Sequence, residues 1–423
     1  MNVLYVCADR GIPLLGGKGA SVHMRAVTSA MQALRHRVTL AVRRLDSGNM
    51  APAVHRIEQL KNDIERAARQ LADLIVEERI DVVIERYSLQ SGAARRATRR
   101  HGLPLTLEVN APLVEEATRY RRLADPDAEA WEHETLRDAD RIHVVSSALL
   151  RYVRSVAPGV PAGWIPNGSH VAAFRSSEPA TAPGLDGRLV VGFAGSMKPW
   201  HGVADLLDAF ARTSAPPREP APVLLLVGAG PEQEALRRRA TASDLAGRVV
   251  FTGAQSHDAI PGLVRRFDVA VAPYRPMPNF YFYPLKIVEY LAAGVPVVYP
   301  DQGDLREMVG AAGLAHAPGA LDQLAGRLTV LMNDHLLRRD LAKAAMRRGA
   351  ELDWHRVAEW VLELASVPDG VLHSRSAANH VFDGWMPARR SLAEMTTLSI
   401  SRSGLGDEAA SGDGPRPGVC TGP

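Results

Sequence analysis

The chain is predicted to be an α/β protein of two Rossmann-like doubly wound domains facing one another across a cleft. Three observations carry this. Short β-branched apolar runs alternate with longer amphipathic stretches almost from end to end, as in repeated βαβ units around a parallel sheet. The alternation pauses at 176–188, a segment rich in Pro, Ala, Ser and Gly, and then restarts. The 423 residues also leave room for two cores of ordinary size.

Strands are expected at Val3–Ala8, Val38–Val42, Asp81–Arg86, Leu105–Val109 and Ile142–Val145, with helices over Ala20–Leu34 and Ile57–Glu78. Residues 1–175 form the first domain and 176–188 the linker. The second domain, 189–352, has strands at Leu189–Ala194, Val223–Val227, Val249–Thr252, Val269–Ala272 and Val295–Val298, and helices at Gly202–Arg212 and Leu285–Ala293. Residues 353–366 hold a last amphipathic helix around Trp354–Leu364. The tail, 367–423, ends in a Gly/Ser/Pro-rich run and reads as largely disordered. The carboxyl ends of both sheets would line the cleft, where a ligand should sit.

Composition narrows the function. No apolar run reaches the ~18–20 residues that span a bilayer, and Met1–Val6 enters a strand without the features of a signal peptide. Two cysteines, Cys7 and Cys420, make no disulfide framework, so a cytoplasmic protein is expected. A formal charge of +3 is too small to imply nucleic acid as a partner. Two basic stretches, Arg95–Arg100 and Arg119–Arg122, read first as a solvated face; transient contact with a membrane surface is the less favoured reading. Lysine occurs five times against a large excess of arginine. Three of the five, Lys18, Lys198 and Lys286, fall in loops suited to a phosphate, where a compact ammonium acts as a point charge.

The first such loop is Gly16-Gly17-Lys18-Gly19, between the first strand and the helix after it. Consecutive glycines let backbone N–H groups approach an anion at a helix start; an ordinary Gly-rich connection explains it about equally well. Gly228-Ala229-Gly230-Pro231 lacks the third glycine of a dinucleotide fingerprint and reads as a tight turn opening a helix. Gly195-Ser196-Met197-Lys198-Pro199-Trp200-His201-Gly202 ends one strand and opens a helix, and Pro284-Leu285-Lys286 begins another. Exposed amides there can hold a diphosphate. Glu289 lies three residues beyond Lys286 on the same face, where its carboxylate can accept the hydroxyls of a ribose. Taken alone it would be a surface carboxylate, but Val288, Tyr290 and Leu291 make this helix largely apolar. Asp125-Pro126-Asp127 has a D-x-D form, lies far in sequence from these loops, and reads as a solvated acidic turn; no zinc spacing occurs. Neither a metal nor another cofactor is expected.

Several segments together resemble the family 4 retaining glycosyltransferases of GT-B fold, over roughly residues 1–365. Glu289-Tyr-Leu-Ala-Ala-Gly-Val-Pro-Val-Val is similar to that family's E-A-M-A-C-G-x-P-V-V signature. Ile165-Pro166-Asn167-Gly168, Val249–Gly253, the Gly16–Gly19 loop and Asp353-Trp354 are similar to further family segments in the same order. The resemblance implies a nucleoside-diphosphate sugar (UDP or GDP) as donor, held by Gly16, Gly17, Lys18, Gly195, Ser196, His201, Gly253, Tyr281, Pro284, Leu285 and Glu289. It also implies an acceptor, a small molecule or glycan, on the side of the first domain, and a crossing of the last helix back to that domain. The family's first glutamate, eight residues before Glu289, is Tyr281 here, which makes an unusual donor sugar plausible. Its loop arginine and lysine are Ser196 and His201, so Lys198 and Lys286 are expected to supply the catalytic cations. Its histidine after the fourth strand of the first domain is replaced by Glu108-Val109-Asn110, where Asn110 would orient the acceptor or the donor sugar; Glu108 is a further catalytic candidate, and with Glu115 it would be the acid/base carboxylate of an epimerase. A sugar-nucleotide epimerase of the same fold and a non-catalytic nucleotide-sugar-binding subunit remain as alternatives.

Overall fold

Seven strands make the first sheet: β1 (Asn2–Cys7), β2 (Arg37–Val42), β3 (Arg56–Gln59), β4 (Val82–Arg86), β5 (Leu105–Val109), β6 (Arg141–Val144) and β7 (Ala162–Trp164), in the order 3-2-1-4-5-6-7. The second sheet has β8 (Val190–Ala194), β9 (Val223–Val227), β10 (Val249–Gly253), β11 (Val269–Val271), β12 (Val297–Pro300) and β13 (Gly313–His316), ordered 10-9-8-11-12-13. Every neighbouring pair is parallel. The computed structural model describes residues 1–45, 56–59, 63–89, 91–121, 125–181, 184–214, 220–242 and 244–366; the expected disordered tail and Cys420 lie outside them.

These are two doubly wound Rossmann-like lobes, the GT-B architecture. The central strands are buried on both faces: Val3–Cys7 and Val223–Val227 are 0% exposed throughout. That is why they read as unbroken apolar runs rather than alternating ones. The strand order reverses between β1 and β4 and again between β8 and β11, which opens a crevice at the carboxyl ends of both sheets.

Three strands were not expected, and each is short and at or near a sheet edge. β3 lies inside the stretch read as a helix from Ile57; the helix itself is Ile64–Glu77, capped by Asp63, whose side chain accepts from the Arg66 N–H at 2.9 Å. Burial does not select for apolar residues at such edges, so the pattern there is weak.

The chain leaves the first lobe through Ile165–His170. The helix Val171–Ser176 already packs on helices Ile260–Arg265 and Leu285–Ala292 of the second lobe, with Phe174 and Val171 buried, ahead of the linker at 176–188. The return is at Leu352–Trp354, where the Ser169 N–H donates to the Leu352 carbonyl (2.9 Å) and the Trp354 N–H to that of Ser169 (3.1 Å). The last helix, Trp354–Ser366, then lies against the first helix, Gly19–Ala33. A Cβ on Gly168 would stand 3.0 Å from the Trp354 ring and backbone nitrogen, so this crossing requires glycine.

Candidate active site

Two helix starts face each other across the cleft. Gly19 and Ala20 open the first helix, Pro284 and Leu285 open the helix Leu285–Ala292, and all four line the same cavity. A Cβ on Gly19 would lie 3.7 Å from Leu285. The leading N–H groups of each helix have no intrahelical acceptor, and both positive dipole ends point into the gap. Such a place favours an anion.

Lys286 lies outside this lining, behind Tyr274. Its Nζ is sealed from solvent, has no hydrogen-bond partner among the described residues, and sits 4.1 Å from the centre of the Phe193 ring and 5.0 Å from that of Tyr274. Burial lowers its pKa to about 7, with Glu289 pulling the other way. Glu289, one turn further in, is half-buried, and burial raises its pKa to about 7 against the pull of Lys286. The loop after β8 closes over this pair. A Cβ on Gly195 would meet the Lys286 Nζ at 3.0 Å, and Gly228, at φ +121°, has no room for one because the Gly195 carbonyl would be 2.2 Å away. The Gly228–Gly230 turn therefore serves to pack against Gly195–Met197.

His201 lines the cavity from the same loop. Its Nδ1 faces the Ser196 carbonyl, so that nitrogen carries the proton and donates, leaving Nε2 as an acceptor. Burial, then the charges of Lys286 and Lys198, lower its pKa to about 3, while the bond to Ser196 opposes them. It is a neutral ring whose Nε2 accepts, at the position of the lysine that the family resemblance implies.

The floor on the side of the first lobe is organised by Glu108. It is 0% exposed. Its carboxylate accepts from Tyr5 Oη (2.9 Å), Arg86 NH1 (2.8 Å) and Asn110 Nδ2 (2.5 Å), with His23 Nε2 at 2.9 Å and His143 Nε2 at 3.6 Å. Burial alone would raise its pKa, but His23, His143 and Arg86 outweigh it and hold the carboxylate well below its usual range. Asn110, its amide nitrogen committed to Glu108, lines the cavity together with His23, Arg86 and Asn167. His23 Nδ1 stands 2.9 Å from Asn167 Oδ1, and Asn167 Nδ2 donates to the Tyr283 carbonyl at 2.6 Å.

Two domain families match the chain: residues 18–168 as a glycosyl transferase 4-like domain and 188–334 as glycosyl transferases group 1. Each lobe of this GT-B fold thus matches a glycosyltransferase domain family. The chain is 30% identical to a phosphatidyl-myo-inositol mannosyltransferase of Mycolicibacterium smegmatis over 54% of this chain and 57% of that one. To a 2-deoxystreptamine N-acetyl-D-glucosaminyltransferase of Streptomyces fradiae it is 30% identical over 46% and 47%. The chain spans about half the length of these relatives. Sucrose-phosphate synthase from Thermosynechococcus elongatus superposes with a TM-score of 0.68 at 18% identity, covering 86% of this chain and 98% of that one. Anabaena HepE in complex with UDP-glucose gives 0.64 at 19%, covering 87% and 100%. At these identities the two structures speak for the fold.

In this GT-B chain several expected groups fall elsewhere. Glu108 is too enclosed to meet a substrate, so it acts through Arg86, Asn110 and His23 rather than as an acid or base. Tyr281, expected at the donor, is 4% exposed and turns to the first lobe, where its hydroxyl donates to Glu116 Oε1 at 2.5 Å; it lines a second cavity of about 300 Å³ with Glu115, Arg151 and Tyr152. Lys198 is exposed, its Nζ 4.8 Å over the Trp200 ring. Lys18 donates to the Gly11 carbonyl at 3.4 Å, outside the cavity lining, and its neighbour Gly17 is open to solvent. Gly16 is required by a close approach, since a Cβ would be 2.7 Å from Pro13. Gly253 ends β10 with φ +71° and pairs with Gly228, likewise outside the lining.

Sequence reasoning missed His23, Arg86, Asn167, Tyr274 and Phe282, all of which line the cavity. A signal existed for His23, a histidine four residues beyond Gly19 on the inward face of the first helix. Arg86, at the end of β4, was visible only as a charge closing an apolar strand. The basic stretch at Arg95–Arg100 is largely paired, four arginines with three carboxylates: Arg95 with Asp138 and Asp140, Arg96 and Arg100 with Glu65, and Arg99 with Asp138. A charge-driven membrane contact loses its source there. Arg122 lies outside the described residues. Among the described residues no helix is long and apolar enough to cross a membrane.

Proposed function

We propose that this chain transfers a sugar, with retention of its anomeric configuration and without a metal, from a nucleoside-diphosphate sugar to a hydroxyl of a small-molecule or glycan acceptor. The observation that carries the reading is the pair of opposed helix starts lining one cavity, with the sealed, unpartnered Lys286 Nζ behind its Tyr274 wall. A diphosphate would satisfy both helix starts and, with Lys286 turned toward it, carry the negative charge that develops as the glycosidic bond breaks.

The lining supports retention. Among the described residues no aspartate or glutamate lines this cavity, and Glu289, assigned to the ribose, lies outside the lining, so the lining itself offers neither a carboxylate nucleophile nor a carboxylate base. With a pKa of about 3, His201 is too weak a base to serve. The proton of the acceptor hydroxyl then goes to an oxygen of the departing diphosphate, which places acceptor and leaving group on the same face of the sugar. Glu289 holds the ribose. The UDP and UDP-glucose in the HepE structures favour uridine as the base; GDP stays in the panel.

Thermal-shift measurements against UDP, GDP and their sugars, with and without EDTA, test the binding half of the reading. At 100 times its Kd a true donor raises stability by about 2.7 kcal/mol, and EDTA leaves that shift unchanged. Product analysis with an acceptor panel tests transfer and anomeric outcome. A flat response to every nucleotide sinks the proposal.

The donor's affinity should also depend on pH. Lys286 binds diphosphate as an ammonium, and in the free protein it loses its proton above about pH 7. Binding above that point takes up a proton, so affinity falls by up to about tenfold per pH unit. Glu289 accepts hydroxyls as a carboxylate and is neutral below about pH 7, so affinity falls on that side too. Titration calorimetry from pH 5.5 to 9 is expected to give a bell centred near 7, with Glu289→Gln removing the acid limb. A curve flat across that range contradicts both assignments.

A further inference from the structure

We infer that His23 is a positioning residue for transfer: it joins the buried Glu108 to Asn167, and through Asn167 sets the donor-side helix start at Pro284–Leu285 against the floor that holds the acceptor. The inference rests on the proposed transfer and adds a residue to it. His23 is 5% exposed and belongs to the first helix, four residues beyond Gly19 at the start that lines the cavity. Nε2 is 2.9 Å from Glu108 Oε1 and Nδ1 is 2.9 Å from Asn167 Oδ1. The amide of Asn167 can be oriented only one way, because Nδ2 donates to the Tyr283 carbonyl; its oxygen must therefore face His23. The ring thus faces an oxygen on each side, Asn167 Oδ1 in hydrogen-bond contact with Nδ1 and Glu108 Oε1 within ion-pair range of Nε2.

The linkage crosses between the lobes. Glu108 lies on β5 and fixes Arg86 and Asn110 of the cavity floor. Tyr283 belongs to the second lobe and immediately precedes Pro284, which caps the helix Leu285–Ala292. Trp354, from the segment that returns to the first lobe, packs edge-on against the His23 ring at 5.1 Å between centroids. Three chain segments that must come together for the cleft to exist therefore meet at one side chain. Transfer is sensitive to displacements of about 1 Å between acceptor and donor, which can cost ~100-fold. Diphosphate binding at the two helix starts is held by charge rather than by alignment of reacting atoms and tolerates such shifts better.

Isosteric variants separate the two arms of the ring. In Asn the amide nitrogen takes the place of Nδ1, and in Gln that of Nε2. His23→Gln keeps a polar contact with Glu108 and loses the bond to Asn167; kcat is expected to fall at least ~30-fold with the donor KM within about threefold. Asn167→Asp keeps an acceptor for His23 but turns a carboxylate oxygen on the Tyr283 carbonyl, and should show the same split. His23→Asn keeps the bond to Asn167 and should recover kcat to within about fivefold of wild type. Melting temperatures of all three are recorded, because a purely structural role would make activity follow stability. Hydrogen exchange at Leu285 and Lys286 with saturating nucleoside diphosphate gives a readout free of turnover: protection is expected in wild type and His23→Asn and reduced in His23→Gln. Full kcat in His23→Gln, activity ranked by melting temperature, or equal protection in all variants overturns the inference. Absence of any nucleotide effect in the wild type would instead count against the proposed donor, and equal protection with normal nucleotide binding against His23 alone.

Discussion

Lys286→Met is expected to lower transfer by about 10²–10³-fold while leaving the protein as stable as wild type, or more so. The activity side follows from charge. As the glycosidic bond breaks, the diphosphate gains negative charge, and a preorganised donor in a water-poor site stabilises it by about 3–4 kcal/mol. Lys286 is the cation the structure seals behind the Tyr274 wall of that site. The stability side follows from the opposite argument. Without a ligand, the ammonium is held away from water between the Phe193 and Tyr274 rings with no hydrogen-bond acceptor, and burial lowers its pKa for that reason. Methionine fills a similar volume without the desolvation cost. The opposed changes make the test sharp: steady-state kinetics at saturating donor and a melting curve, on one variant. Lys198→Ala should lose less, since that ammonium lies outward over Trp200. Turnover near wild type in Lys286→Met, or a larger loss in Lys198→Ala, would remove the assignment.

The contrast between the two lysines shows what was legible in the sequence. Residue type and loop position pointed to both, but no pattern in one dimension says which ammonium is sealed. The long central strands and the amphipathic helices were readable because burial on both faces, or on one stripe, leaves a periodic trace. Lys286 and Glu289 were found because helical spacing puts them on one face. The cavity floor was not readable in the same way. Tyr5, His23, Arg86, Glu108 and Asn167 lie on five separate segments, and only the strand order 3-2-1-4-5-6-7 and the crossing at Ile165–His170 bring them together. Comparison with a family position points to Glu108 and Asn110, and Asn110 lines the cavity, but such a comparison cannot tell a carboxylate that meets substrate from one that organises its neighbours. Tyr281 was misread for a related reason: its place in the chain is that of a donor ligand, but a neighbour from the other lobe, Glu116, holds its hydroxyl.

Glu108→Ala should in turn be among the most destabilising single substitutions in the first lobe, at about 3–5 kcal/mol. Removing this carboxylate leaves the Arg86 guanidinium, which is 8% exposed, and the Tyr5 hydroxyl, which is 0% exposed, without their acceptor, and removes one of the two oxygens that His23 faces. An uncompensated buried charge costs more than the pair contributes when intact. Glu108→Gln keeps the shape and separates packing from charge: it retains one oxygen as an acceptor but turns an amide N–H₂ toward groups that themselves donate, so most of the loss should remain. The pH dependence identifies the cause. Because the folded-state pKa of Glu108 is held below its ordinary value, the stability this carboxylate contributes is fully present above the unfolded-state pKa of ~4.3 and is lost as pH falls through the folded value. The stability difference between wild type and Glu108→Gln should therefore be constant from neutral pH down to about 5 and shrink below ~4.3. Denaturant unfolding of both proteins from pH 7 to pH 3 measures it. A difference that does not shrink in acid would mean that shape rather than charge holds the floor, and Glu108 would lose its role as the anchor for Arg86, Asn110 and His23.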